Sequence, residues 1–159
     1  MAPDPQIFMH VEIKGSEATK PNLTMKKERK TRRAKKLAPS RKYVNKILDW
    51  CLQTYGRSKH NREFPEIKYR SAKYMNEDPM TMAYYDEEEA IIYIKKEDHK
   101  SLKTLVGTMI HEYTHYLQNA HHYHVLSLYL PYNQHPMEIE AEKIAKRDTK
   151  KCLKEIAEM

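Results

Sequence analysis

The stretch that decides the fold is HKSLKTLVGTMIHEYTHYLQNA, residues 99–120. Leu102, Leu105, Val106, Met109, Ile110, Tyr113 and Leu117 recur at three- and four-residue spacing. That period marks one buried stripe of an α-helix. We place the helix at about 99–120, with Asp98 opening it. In its apolar middle stand His111, Glu112 and His115. On a helix each residue advances about 100°, so residues four apart lie about 40° apart on one face. Two imidazoles at that spacing can reach a single metal ion at about 2.0–2.1 Å. Glu112 lies beside them, where a carboxylate can take a proton from a metal-activated water. A chain with nine His yields HExxH by chance in roughly one shuffle in twenty, so the placement matters more than the letters. Three polar groups in the centre of a buried helix need partners, and surface or core-edge histidines would have no reason to sit there.

Working outward, Pro136 suits the first turn of a last helix, about 136–157. On it Glu138, Ala141, Glu142 and Ala145 share a face, and the two alanines permit a close approach to another helix. Glu138 can then supply a third metal ligand. Glu142, one turn on, can accept the free N–H of a ligating histidine, while Glu140 points elsewhere. Two other third ligands compete with Glu138. His121 has the offset of the third histidine in HExxHxxGxxH, but Gln118 stands where that pattern turns on glycine. A helix continuing through Gln118 would rotate His121 away. His135, with His122 and His124, belongs to a histidine-rich loop over 121–135 that includes a short helical piece. The ordinary alternative for all of these is surface acids and histidines.

Towards the N-terminus, Thr81–Tyr85 and Ala90–Ile94 flank Asp86-Glu87-Glu88-Glu89 and read as a β-hairpin with a four-residue loop. Residues 64–70 alternate as a strand, with Ile67 and Tyr69 on one face. Tyr84, Tyr85 and Tyr93 read as core or sheet-face residues. Ser40 caps a helix to about Tyr55, stopped by Gly56, with Tyr43, Ile47, Trp50, Cys51 and Thr54 as its stripe. The order helix, strand, hairpin, helix, helix gives an α+β domain over 40–159, with a short antiparallel sheet.

The formal charge of +7 is uneven. Residues 26–46 hold eleven Lys or Arg and one acid, Glu28, so the other 138 residues sum to −3. We read residues 1–39 as a flexible basic arm, with a short strand at 7–13. It is either solvated or a site for nucleic acid or an acidic partner through 26–46. Cys51 and Cys152 are not in a CxxC pair, so they read as free thiols of a reducing compartment. No run of 18 apolar residues or signal-peptide core is seen. The expectation is a cytoplasmic, non-membrane protein.

HEYTH at 111–115 followed by EIEAE at 138–142 resembles the Glu-zincin (gluzincin) peptidases, whose third ligand opens an E-x-x-A-[D/N] motif. The likeness is to minimal members, the ImmA/IrrE-like domains and small phage-encoded metallopeptidases, and covers about 80–159. The resemblance implies a small zincin-like domain with a hairpin, an active-site helix and a C-terminal glutamate-bearing helix. It implies one zinc ion per chain held by His111, His115 and Glu138, with Glu112 as general base in hydrolysing a protein or peptide substrate. Glu142 departs from the usual Asp or Asn. Tyr132, Tyr129 and Tyr123 are candidates for oxyanion stabilisation. Competing readings are a SprT-like protease acting at DNA with a third histidine, His135 fitting nearest, and a nucleic-acid-binding or regulatory protein that retains a zinc fold.

Overall fold

The computed structural model describes residues 39–75 and 81–159. Most of the basic arm, including the strand read at 7–13, lies outside the described residues. The described chain runs through α1 (Arg41–Tyr55), β1 (Glu66–Arg70), β2 (Ala83–Asp86), β3 (Ile91–Lys95), α2 (Leu102–Leu117), α3 (Ala120–Ser127) and α4 (Pro136–Glu158). Four helices and a small three-stranded sheet make a mixed α+β arrangement, as expected. Among the described residues, no helix is long and apolar enough to cross a membrane.

The sheet is mixed rather than antiparallel. Its order is β1-β3-β2. β2 and β3 form the expected antiparallel hairpin, Tyr84 opposite Tyr93, but β1 pairs parallel to β3, Ile67 opposite Ile92. The physical reason lies in β3. Ile91, Ile92, Ile94 and Lys95 are all buried, so both faces of this strand are covered, as suits the centre of the sheet. β1 provides the second edge, and β2 is left as the outer strand. The hairpin turn falls at 87–90, one residue later than expected. Asp86 Oδ1 accepts from the Glu88 and Glu89 amides at 3.0 and 2.9 Å, and Ala90 takes a left-handed φ of 52° to re-enter the ladder. Tyr84 and Tyr93 stack on the outer face at 4.8 Å, while Tyr85 packs towards the core against Tyr116.

α2 occupies the centre. Leu105, Val106, Met109, Ile110, Tyr113 and Tyr116 are essentially inaccessible and meet Ile92 and Ile94 of the sheet and Ile47 and Trp50 of α1. The α1 stripe uses Val44 rather than Thr54, which is exposed. Ser101 caps α2, its side chain accepting from the Thr104 amide at 3.1 Å. Below the helix, Tyr113 donates to Gly56 O at 2.6 Å and Asn61 Nδ2 donates to Tyr116 O at 2.6 Å, so the α1–β1 connection is tied to α2.

The most extensive helix contact is α2 against α4. Small groups permit it. Ala141 is fully buried and Ala145 nearly so, and a Cβ added at Gly107 would sit 3.4 Å from Thr149 Oγ1. α1 locks α4 from the other side through Trp50 Nε1 to Glu155 Oε2 at 2.6 Å and Tyr55 Oη to Asp148 Oδ2 at 2.5 Å. Arg147 closes on Asp148 with two bonds, at 2.9 and 2.6 Å.

Ala141→Leu is expected to destabilise the fold by about 1–3 kcal/mol, because no space exists for the added carbons. Urea unfolding followed by Trp50 fluorescence checks this. Asp148 gives a pH dependence. Arg147 holds its carboxyl below the usual range, against burial, and Tyr55 and Lys151 add to the shift. A depressed folded-state pKa means stabilisation that is full above the ordinary Asp value of about 3.9 and lost as pH falls through the depressed value. Asp148→Asn should therefore show a shallower loss of stability below about pH 4 than the parent, read as urea midpoints between pH 3 and 6.

Candidate metal centre

His111 and His115 stand one turn apart on α2, and the first turn of α4 brings Glu138 against them. His111 Nε2 and His115 Nε2 are 3.1 Å apart. Glu138 Oε2 lies 3.2 Å from His111 Nε2, and its Oε1 lies 3.4 Å from His115 Nε2. Two imidazole nitrogens and the Glu138 carboxylate thus converge. A tetrahedral ion with bonds of about 2.0–2.1 Å spaces its ligand atoms roughly 3.3–3.4 Å apart, so the observed separations fit without large movement. Among the described residues, this is the one group of three such side chains close enough to hold a metal ion. A second observation fits as well. Glu138 Oε2 is buried, and no donor is aligned for a hydrogen bond to it, His111 Nε2 at 3.2 Å included. A buried carboxylate oxygen without a partner is costly, and a cation at the convergence point would satisfy it.

The surroundings hold these donors in place. His115 Nδ1 meets Gln118 Oε1 at 2.8 Å. Gln118 is oriented by its own amide nitrogen, which donates to Met137 O at 3.0 Å and to Glu140 Oε2 at 2.9 Å. Both of those partners only accept, so Gln118 Oε1 must accept from His115 Nδ1–H. The proton then sits on Nδ1, and Nε2 faces Glu138. Tyr123 donates to Glu138 Oε1 at 2.5 Å, and its ring lies edge-on to His115 at 5.5 Å. Burial works to raise the Glu138 pKa, but the neighbouring His111 and His115 rings and the Tyr123 phenol hold it well below the carboxylate range. For His115, burial pulls downward, and Glu138, Glu112 and Gln118 outweigh it to leave the pKa raised. Glu112 is buried, which raises its pKa against the pull of His111 and His115.

The other expected participants are distributed differently. Glu142 is exposed and pairs with Lys146 at 2.6 Å, so it does not support a histidine. Gln118 does that instead, and Glu140, expected to point elsewhere, orients Gln118. His135 is buried, but both its ring nitrogens are engaged. Nδ1 accepts from the Met137 amide at 3.3 Å as the N-cap of α4, and Nε2 meets Tyr123 O at 3.1 Å. His121 and His122 are exposed, and His124 is exposed and bonded to Glu87. The missing glycine predicts that α2 continues through Gln118, but it does not. It stops at Leu117, Gln118 takes extended φ −77°, ψ 164°, and α3 starts afresh with Asn119 as cap. Gln118 turns the chain because its side chain is anchored to His115 and α4.

The site opens at the junction of two cavities. One, of about 1240 Å³, runs between β2, the N-terminal half of α2 and α4, past Gly107, Thr108, Ala145 and Thr149. The other, of about 250 Å³, is lined by Tyr85, Gln118, Tyr123 and His124. His111, Glu112 and Tyr132 line both. β2 forms one wall, and its outer edge lacks a strand neighbour among the described residues. Of the three tyrosines considered for oxyanion stabilisation, Tyr129 is exposed away from the cavities and Tyr123 is committed to Glu138. Tyr132 lines both cavities although most of its surface is exposed, and partial desolvation and the Glu138 carboxylate keep its phenol protonated. Comparison with known protein families, curated proteins and solved structures finds no significant match.

Gln118→Ala should lower metal affinity by about 10–100-fold, because the His115 ring loses the bond that fixes its tautomer and orientation. Glu142→Ala should leave it unchanged. Competition against a chromogenic chelator measures both.

Proposed function

We propose that the chain is a zinc-dependent peptidase, with His111, His115 and Glu138 as the zinc ligands and Glu112 as the general base. The observation that carries this reading is the convergence of two imidazoles and one buried carboxylate beside Glu112, at the meeting point of two cavities along a sheet edge. Two nitrogens and one oxygen with an open fourth position suit catalytic zinc better than a closed structural site. Zinc in such a site polarises a carbonyl and lowers the pKa of water towards about 7.

The protein's own residues do the rest. Glu112 accepts the proton of the attacking water on its carboxylate and returns it to the nitrogen of the leaving amine. Gln118 and Tyr123 keep the ligands in register. Tyr132 offers a phenol O–H in the cleft as a donor to the carbonyl oxygen as it gains charge. β2 walls both cavities, which supports an extended polypeptide substrate lying along it and across both. A chain passing through, rather than ending at the site, favours internal cleavage. A third histidine ligand, as in the SprT-like reading, gains no support from His135, whose ring atoms are otherwise engaged.

Glu112→Gln should reduce hydrolysis of an unstructured protein such as casein by about 10²–10⁴-fold, while bound zinc stays at the parent level. A variant as active as the parent would remove Glu112 from the chemistry. A zinc-loaded parent that cleaves neither casein nor a mixed peptide library would argue against the peptidase reading.

A further inference from the structure

The outer face of α4 carries a second concentration of positive charge. Residues 143–154 hold Lys143, Lys146, Arg147, Lys150, Lys151, Lys154 and one acid, Asp148, a net +5. With 26–46 at +10, the remainder of the chain sums to −8. The positive charge is therefore gathered into two places. At about 100° per residue, the buried side of α4, Ala141, Ala145, Asp148, Cys152 and Ile156, is centred nearly opposite the six cations. All six are exposed.

Ordinary helix surfaces interleave acids and bases three and four residues apart. Here Lys143 faces Arg147, Lys146 faces Lys150 and Lys150 faces Lys154, and like charges at that spacing are unfavourable. Only Lys146, with Glu142, and Arg147, with Asp148, have an ion-pair partner among the described residues. The helix dipole does not explain the pattern either, because no cation lies in the last turn. One further cation lies next to the stripe. Lys46, in the second turn of α1, donates to Ile156 O at 3.4 Å and so lies beside the C-terminal end of α4.

We infer that the outer face of α4 is a nucleic-acid-binding surface that engages the phosphate backbone. From Lys143 to Lys154 the stripe is about 16 Å long at 1.5 Å per residue, alongside roughly ten charges of a duplex at one per 1.7 Å. No aromatic side chain stands among the six cations, so neither base stacking nor sequence preference is expected. The surface is separate from the metal ligands and does not rest on the peptidase reading.

The test is fluorescence anisotropy of the full chain with a labelled 30-base-pair DNA of mixed sequence, across a salt series. A Lys143→Gln, Lys150→Gln, Lys154→Gln variant is compared with the parent. The same comparison is made where the eight Lys and Arg of 26–36 are also Gln. The triple change should weaken binding at least tenfold near 0.1 M salt and flatten the log-log salt slope by about 2–3. It should do so on both backgrounds, with the thermal midpoint unchanged. Arg at the three positions should restore the slope. Parent-like binding and slope in the triple variant would overturn the inference. So would a parent that binds polyglutamate or anionic vesicles but not DNA or RNA duplexes.

Discussion

The structure depends on how closely α2 and α4 approach. Ala141, Ala145 and Gly107 remove the side chains that would hold the helices apart, and Thr149 fits against the glycine. Only at that separation does Glu138 reach within 3.2–3.4 Å of the two imidazoles. A carboxylate in that position is costly to bury, and the contacts that offset the cost are those that build the site: two histidines, a tyrosine and room for a cation. Packing and chemistry are one constraint here. The α1 contacts, Trp50 to Glu155 and Tyr55 to Asp148, act on the far half of α4 and keep the near half aligned.

Around the three converging side chains, Gln118, His135 and Tyr123 serve to hold position. Gln118 ends α2, turns the chain and fixes the His115 tautomer in one set of bonds. His135 caps α4 and fastens Tyr123, which in turn bonds Glu138. A histidine whose two nitrogens are engaged in this way is a scaffold element, even in a loop crowded with histidines. The arrangement makes α3 a strap between the two helices rather than a free loop.

Much of this was legible in the sequence because it follows from period. Apolar spacing at three and four located α1 and α2, Pro136 and the face of Glu138, Ala141, Glu142 and Ala145 located α4, and the i, i+4 histidines with Glu138 emerged on facing surfaces. Pairing across the chain was less legible. Nothing local in Glu66–Arg70 says that it joins β3 in parallel, because strand direction is set by pairing across the chain and not by the strand's own residues. The supporting group was misassigned for a related reason. Helix geometry puts Glu142 one turn from Glu138, but which side of α4 faces His115 depends on the crossing of two helices. Gln118, three residues after His115 and thus on a neighbouring face, was the available signal. The reading of charge as one basic segment averaged the α4 cations against acids elsewhere, including Asp86–Glu89 in the hairpin turn.

The central claim is that His111, His115 and Glu138 hold one zinc ion. X-ray absorption spectroscopy at the zinc edge, on the purified full chain with its metal content measured, tests it most directly. The expected result is one zinc per chain in a four-coordinate nitrogen and oxygen shell at about 2.0–2.1 Å, with outer-shell scattering from two imidazoles and no sulfur. A shell containing sulfur, scattering from three imidazoles, or no retained metal after zinc is supplied would contradict it.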